Sequence, residues 1–467
     1  MNKTLLRFKF IFFDIVAALI VWVVFMFFRR VVNDGAVFQG FTIFIPVYNF
    51  YTNLFLFPVF CVIIHYLSGY YENPVKESKS LEFFTTLISS AIISFSIFFI
   101  LLLDDMVISY LNYYYSLMVL FLLLFSVTYL FRIMQSVYIR KNYKLKKWTK
   151  NTLIIGTGSN ACKIAEGIKR NSKINTVIGF VKADSIEKTV EPDKITGNLN
   201  NLKEQIETLD VKEVIIALDD ANEQKIFNII NKLFQFDIDI QFTPRLHEIL
   251  TGKAKINRYG INPLVSISKS SMDDWEISVK RAFDSIVSLL AIILLSPVMI
   301  YFSFAIKSDS NGPVLYRQKR IGRNGKEFNM LKFRTMYRLS ENGKPKLSSP
   351  DDERITKVGR TLRRYRLDEI PQFWNILKGD MSIVGPRPER RFFIDQIIKE
   401  APYYCLLYRI RPGLTSWGPI KIGYSDTIEK MIERLNYDII YLETMSLLTD
   451  MKILVSTFEV LFKGKGI

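Results

Sequence analysis

Histidine is nearly absent from this 467-residue chain: His65 and His247 are the only two. So little imidazole argues against His-based acid–base catalysis. His65 falls in an apolar run and His247 near a domain end, positions where structural roles are expected. Cysteine is scarce too. Cys61, Cys162 and Cys405 lie far apart with no Cys-x-x-Cys spacing, so neither a disulfide framework nor a thiolate zinc site is expected. Acidic residues are outnumbered, 45 against 62 Lys and Arg, for a net charge of +17. The excess is uneven. Residues 1–148 carry 13 basic against 7 acidic residues, 149–275 carry 17 against 17, and 276–467 carry 32 against 21. Charge of this sign suits nucleic acid, anionic lipid or phosphorylated substrates. Its concentration in the two parts assigned below to the membrane points to the latter two, and no nucleic-acid partner is expected.

What the chain has in quantity is apolar residue, 49% of the total with 14% aromatic, too much for a purely soluble protein of this length. Four early runs have spanning length: Phe10–Phe28, Phe41–Leu67, Leu81–Leu103 and Ser116–Ile133. They predict a four-span helical bundle over residues 1–148. No small-residue cleavage site follows the first run, so it is expected to be retained. Basic residues Arg140, Lys141, Lys144, Lys146, Lys147 and Lys150 follow the fourth run, while Asp104 and Asp105 lie between the third and fourth. With an even number of spans this puts the N-terminus and everything after residue 140 in the cytoplasm; Arg29 and Arg30 run against the scheme.

Residues 149–250 alternate short apolar strands with amphipathic helices, which predicts an α/β Rossmann-like domain with an open parallel sheet. Its first turn, Gly156-Thr157-Gly158-Ser159-Asn160-Ala161, matches G-x-G-x-x-A between a strand and a helix. Two readings stay open. The turn either cradles a pyrophosphate, with Asp184 reaching a ribose hydroxyl, or serves only tight strand–helix packing in a regulatory or assembly domain. Residues 251–275 show no period and read as a linker.

A further apolar stretch, residues 282–306, is interrupted by Ser296-Pro297. It is bracketed by Lys280-Arg281 on one side and by Lys307, Arg317, Lys319, Arg320 and Arg323 on the other. A simple span would export one basic cluster, whereas a re-entrant helix-break-helix keeps both inside. Pro297 removes a helix hydrogen bond and clashes with the preceding turn, and Ser296 can satisfy a freed carbonyl.

The stretch belongs to a mainly α region, 276–467, whose carboxylates beyond residue 306 fall in a few tight positions. Arg363-Arg364-Tyr365-Arg366 runs into Leu367-Asp368-Glu369-Ile370-Pro371-Gln372, and Gly379-Asp380-Met381-Ser382 leads to Gly385-Pro386-Arg387-Pro388. On their own, Asp368 and Glu369 beside arginines read first as solvated ion pairs and second as a metal-binding, phosphoryl-transfer pair. The two prolines around Arg387 favour the second reading, because they present one arginine rigidly.

These segments, with Lys280-Arg281-Ala282-Phe283-Asp284, Pro313 to Gln318, Arg320-Ile321-Gly322, Lys332-Phe333-Arg334-Thr335-Met336 and Arg411-Pro412-Gly413-Leu414-Thr415, resemble the bacterial sugar transferases. The likeness is to the monotopic phosphoglycosyl transferases that use polyprenol phosphate, and it covers 276–467 in order. The resemblance implies that Asp368 is a nucleophile forming an aspartyl phospho-sugar and that Glu369, with Asp368, binds Mg²⁺. It also implies that Arg387 contacts the nucleotide or its phosphates, that Arg363, Asp380 and Gln372 support the site, and that Lys332 and Arg334 are candidate phosphate contacts. Ser296 and Pro297 would form the membrane break. The implied partners are a UDP-sugar, undecaprenyl phosphate and the membrane; a homodimer is left open. The implied location is the bacterial inner membrane, with the catalytic part on the cytoplasmic face and a role in opening capsule, O-antigen or exopolysaccharide synthesis. Ser416-Trp417-Gly418-Pro419 departs from the Gly-Trp-Ala-Gln of many relatives, which leaves the sugar undefined. Phe392, Phe393, Tyr403 and Tyr404 suit either the membrane interface or the core. A nucleotide-sugar dehydratase is excluded, since the only Tyr-x-x-x-Lys, Tyr143 to Lys147, precedes Gly156.

Overall fold

The computed structural model describes residues 3–33, 50–72, 79–104, 110–144, 149–171, 175–183, 190–219, 223–234, 236, 238–243, 265–266, 271–337, 352–423 and 427–462. Two units separate: Met1–Trp148 with Asp273–Lys280, and Thr149–Met272 with Arg281–Ile467. His247, Asp184 and most of the expected linker lie outside the described residues.

The first unit holds α1 (Lys3–Asn33), α2 (Phe50–Leu67), α3 (Lys79–Asp104) and α4 (Tyr110–Lys144). Segments of α1, α3 and α4 are long and apolar enough to cross a membrane, and α2 contributes the shorter apolar stretch Thr52–Leu67. The second expected span is therefore seen only in its C-terminal part, because residues 41–49 are not among those described. Ala18, Trp22, Phe25, Phe57, Ile93 and Leu124 fill the bundle interior, while Phe12, Phe55, Phe95 and Met118 stay exposed on outward faces, as suits hydrocarbon contact. Polar groups are buried among them. Arg132 of α4 donates to Asp14 of α1 at 2.8 and 3.4 Å and to Thr86 of α3 at 2.8 Å, and its guanidinium lies 3.6 Å over the Tyr70 ring. Tyr71 donates to the same Asp14 at 2.7 Å. Charges inside an apolar bundle are costly unless their donors and acceptors are used, so this network fixes how the helices face one another. His65, buried 3.0 Å from the Ser89 hydroxyl, has the structural setting expected of it.

The second unit opens with β1 (Lys150–Ile155), α5 (Ser159–Asn171), β2 (Asn175–Lys182), β3 (Ile195–Asn198), α6 (Leu202–Thr208), β4 (Glu213–Ile216), α7 (Glu223–Leu233), β5 (Asp239–Phe242) and β6 (Val265–Ser266). The sheet order is β3-β2-β1-β4-β5-β6; β1 to β5 are parallel and β6 runs antiparallel to β5. The Val/Ile/Leu-rich runs of β1 and β4 are buried on both faces, as parallel strands require. Glu213, buried in the central β4, is neutralised by Lys150 at 3.1 Å and accepts from Thr152 and Gln241, each at 2.9 Å, and from Asn175.

The remainder comprises α8 (Asp274–Leu294), α9 (Ser296–Asp309), β7 (Leu315–Ile321), β8 (Glu327–Phe333), α10 (Lys357–Arg364), α11 (Gln372–Lys378), β9 (Ser382–Val384), α12 (Arg391–Glu400), β10 (Gly413–Thr415), α13 (Trp417–Ile422), α14 (Ile428–Glu443) and α15 (Leu447–Phe462). α8 and α9 meet at a 59° bend, with Pro297 in the first turn of α9 and the Ser296 hydroxyl donating to the Ile293 carbonyl at 2.8 Å. The break thus falls at the expected Ser296-Pro297. Both limbs expose large apolar side chains, among them Ile286, Leu290, Leu294, Tyr301 and Phe304. The antiparallel β7–β8 hairpin and the two-stranded β9–β10 pair are the only sheets among the described residues of this mainly helical part. One apolar core joins it to the α/β part: Ile229, Ile230, Leu233 and Phe234 pack with Phe393, Tyr404, Leu407 and Tyr408. Phe393 and Tyr404 therefore take the core role, while Phe392 remains exposed.

Candidate active site

The adjacent carboxylates sit on one 3₁₀ turn, Leu367–Glu369, between α10 and α11. Arg366, which leads into it, has φ +54°, a left-handed conformation that costs a non-glycine residue about 1–2 kcal/mol. The strain has a geometric product. It separates α10 from the 3₁₀ turn, on which Asp368 and Glu369 are each only 8% exposed rather than on the solvated face of a longer helix. Asn375 of α11 then splints this segment to the hairpin: its Oδ1 accepts from Leu331 N at 2.9 Å and its Nδ2 donates to the Asn329 carbonyl at 2.8 Å. The splint brings β8, and with it Lys332, beside the pair.

Charge around the pair is asymmetric. Glu369 Oε1 accepts from Lys332 Nζ at 3.0 Å and from Arg387 Nη2 at 2.8 Å. Burial alone would raise the Glu369 carboxyl, but Arg387, Lys332 and Arg366 overcome it and hold the group well below the usual carboxylate range. Asp368 accepts no hydrogen bond among the described residues. Burial raises its carboxyl above the ordinary value; the charge of Glu369 adds to this, against the pull of Lys332, Arg363 and Arg387. Arg387 is correspondingly held fully charged by Glu369. One carboxylate is thus fixed by cations and its neighbour is left with unspent oxygens.

The other expected residues divide by place. Arg363 donates Nε to the Thr335 hydroxyl at 2.9 Å, and its charge acts on Asp368. Gln372, at the start of α11, is buried with Nε2 unpartnered among the described residues. Asp380 lies in the turn closing α11, 3.4 Å from Lys378. Arg334 points elsewhere: its Nη2 donates to the Ile306 carbonyl at 3.3 Å and to the Ser310 carbonyl and hydroxyl at 2.6 and 3.0 Å, tying β8 to the end of α9.

The arginine loop is braced from behind by residues that the motifs did not reveal. Arg320 of β7 donates to the Pro388 carbonyl and to Glu389 Oε2, both at 2.9 Å, and Arg434 of α14 donates to Glu389 Oε1. Backbone bonds brace the same loop, with Ile321 N donating to the Glu389 carbonyl at 3.0 Å and Gly413 N to the Pro386 carbonyl at 2.8 Å. Although buried, Glu389 is kept ionised by Arg434 and Arg320. Asp438, one turn along α14 from Arg434, is pushed up to about 6 by burial. The only signal in the sequence was the run of charge around 387–391, which does not name distant partners. Two residues of the α8 motif have structural duties: Arg281 caps the end of α11 through the Ile376 and Leu377 carbonyls at 2.7 and 2.8 Å, and Asp284 accepts from Ser382 Oγ at 2.7 Å and Ile383 N at 3.0 Å.

Residues 275–464 match the family described as bacterial sugar transferase, and residues 65–244 match a family described as a CoA-binding domain. An uncharacterized sugar transferase of Haemophilus influenzae is 30% identical over 82% of this chain and 82% of its own length. The chain belongs to the bacterial sugar transferase family. Within it, the UDP-N-acetylgalactosamine-undecaprenyl-phosphate N-acetylgalactosaminephosphotransferase of Aeromonas hydrophila is 36% identical over 49% of this chain and 53% of its own length. The UDP-glucose:undecaprenyl-phosphate glucose-1-phosphate transferase of Klebsiella pneumoniae is 31% identical over 64% of each chain. The chain thus spans between half and two thirds of the length of these two relatives.

A divalent cation fits what this sugar transferase offers. Among the described residues no group of three or more His, Cys, Asp or Glu converges, the Asp368 oxygens accept no hydrogen bond, and Glu369 accepts through Oε1 alone. Magnesium is typically held by one or two carboxylates, completed by water and substrate phosphate, and this donor set suits that mode.

Proposed function

We propose that this chain transfers a sugar-1-phosphate from a UDP-sugar to a polyprenol phosphate such as undecaprenyl phosphate, releasing UMP. The observation that carries the reading is the split between the two carboxylates: Glu369 is locked by Lys332 and Arg387, while Asp368 keeps its oxygens unspent. An Asp368 oxygen attacks the sugar-bearing phosphorus, a P–O bond forms, and the P–O bond to UMP breaks. An oxygen of the lipid phosphate then attacks the same phosphorus and the Asp368–phosphorus bond breaks, which restores the carboxylate and yields a lipid diphosphate sugar. Arg387 and Lys332 offset the negative charge of the phosphates, without which the anionic nucleophile would be repelled. Arg363 supports Asp368 from the α10 side, and Gln372 supplies an unspent amide donor. Magnesium, held by Asp368 and Glu369, would supply charge neutralisation and orientation of the phosphates.

The names of the relatives, which describe transfers from UDP-glucose and UDP-N-acetylgalactosamine to undecaprenyl phosphate, support the substrate class. The α/β part, with its order reversal between β1 and β4, is read as Rossmann-like. The bent α8–α9 pair is read as a re-entrant anchor rather than a broken span. Support comes from contacts of both limbs within one unit: Arg281 and Asp284 of α8 with α11 and β9, and Asp309 of α9 with Val358 N at 3.0 Å. A site at the cytoplasmic membrane surface takes the soluble nucleotide sugar from one side and the lipid phosphate from the other.

The test is UMP release by the purified chain with polyprenol phosphate, Mg²⁺ and a panel of UDP-sugars. One sugar is expected to support release and EDTA to stop it. No release with any UDP-sugar contradicts the reading.

A further inference from the structure

The proposed reaction makes no use of the Gly156-Thr157-Gly158 turn at the start of α5. Such a turn presents the first amides of a helix, which have no intrahelical partners, to a phosphate, and the family matched over this region is described as CoA-binding. Here those amides are occupied by the chain itself. Asp219, three residues beyond the end of β4, sets Oδ2 2.7 Å from Ser159 N and Oδ1 2.9 Å from Asn160 N. A carboxylate bridging two successive amides does chemically what a phosphate would do there. Gly156 also has an explanation without a ligand. Its φ is +128°, and a Cβ at this position would run into the Ala217 carbonyl, so glycine is required by the close approach of the turn to the end of β4.

We infer that Asp219 is the resident anion of this turn, and that the α/β domain takes neither CoA nor a dinucleotide with its phosphates on the α5 amides. The residues present do not fit such a group at that place: an incoming pyrophosphate meets a carboxylate of its own sign and must displace both of its hydrogen bonds. The turn instead locks the start of α5 to the end of β4. The inference is independent of the proposed transfer reaction.

Hydrogen–deuterium exchange of the full chain in detergent, read at the Ser159 and Asn160 amides, tests it without any activity measurement. In the wild type, millimolar CoA or NAD⁺ leaves exchange there unchanged. Asp219→Ala frees the amides and speeds their exchange about tenfold. Added inorganic sulfate slows it again in the variant but not in the wild type. Should the alanine variant lose its fold, Asp219→Asn, which keeps the shape and one acceptor oxygen, is expected to show the same acceleration in smaller measure. Saturable protection of wild-type residues 156–161 by CoA or NAD⁺ overturns the inference. So does wild-type exchange in a folded Asp219 variant, or a freed turn that sulfate does not protect.

Discussion

Replacing Glu389 by glutamine removes the carboxylate that Arg320 and Arg434 share. In the wild type its two oxygens serve Arg320 at 2.9 Å and Arg434, and both guanidinium groups are largely shielded from water. Breaking a buried ion pair by removing one partner costs about 3–5 kcal/mol, because the remaining charge is left uncompensated. Glutamine keeps the shape and one carbonyl acceptor, so about 3 kcal/mol is expected, and alanine should cost more. For a unit of this size each kcal/mol moves the melting temperature by about 2–4 °C. Glu389→Gln should therefore melt roughly 6–12 °C lower in a detergent thermal scan, taking the same conversion. The loss should also reach the site. Arg320 holds the Pro388 carbonyl as well as Glu389, so loosening the clamp frees the loop that presents Arg387 to Glu369. UMP release, measured well below the lowered melting point, should fall while the protein is still folded. A Glu389→Gln protein that melts within a degree or so of wild type would refute the reasoning, since the clamp would then carry no load.

Three further outcomes follow from single residues. The Asp438 carboxyl has a folded value of about 6 against about 3.9 in an unfolded chain, so the stability linked to its proton is fully present below the lower value and is lost as pH rises through 6. Asp438→Asn, which cannot lose a proton, should then be more stable than wild type by up to about 3 kcal/mol at pH 7.5 and by little near pH 4; equal gains at both pH values would contradict this. Arg366→Gly relieves the left-handed φ of +54° and should stabilise the fold by about 1 kcal/mol in denaturant unfolding; a loss of stability would mean that the arginine side chain outweighs the strain. Lys332→Met removes a cation that lowers both Glu369 and Asp368, so the acid limb of the pH–rate profile should move to higher pH, with a rate loss of about 10- to 100-fold. An unmoved acid limb would show that Lys332 does not act on Asp368.

Much of the site was legible because its signals are local. Asp368 and Glu369 are adjacent, Arg387 stands between two prolines, and Ser296-Pro297 interrupts an apolar run where the 59° bend occurs. What was missed depends on pairing over distance. Glu389 meets Arg320 from 69 residues upstream and Arg434 from 45 downstream, and Asp14 meets Arg132 across 118 residues of membrane bundle. A single charge inside each of two apolar runs was the available hint of that second pair. Arg334 looked like a phosphate contact because it lies two residues from Lys332. On β8, though, residues two apart share a face, and what turns Arg334 away is its position beyond the strand end, at the foot of α9. The glycine turn could not disclose its own occupant, since Asp219 lies some 60 residues further along the chain.

The central claim is that Asp368 is the nucleophile, and the most direct measurement is mass spectrometry of the chain incubated with its UDP-sugar and Mg²⁺ but no polyprenol phosphate. The account predicts release of one UMP per chain and a phospho-sugar adduct on the peptide carrying Asp368, both lost in Asp368→Asn and the adduct discharged when lipid phosphate is added. No adduct, with UMP appearing only when the lipid is present, would contradict it in favour of direct transfer between the two substrates.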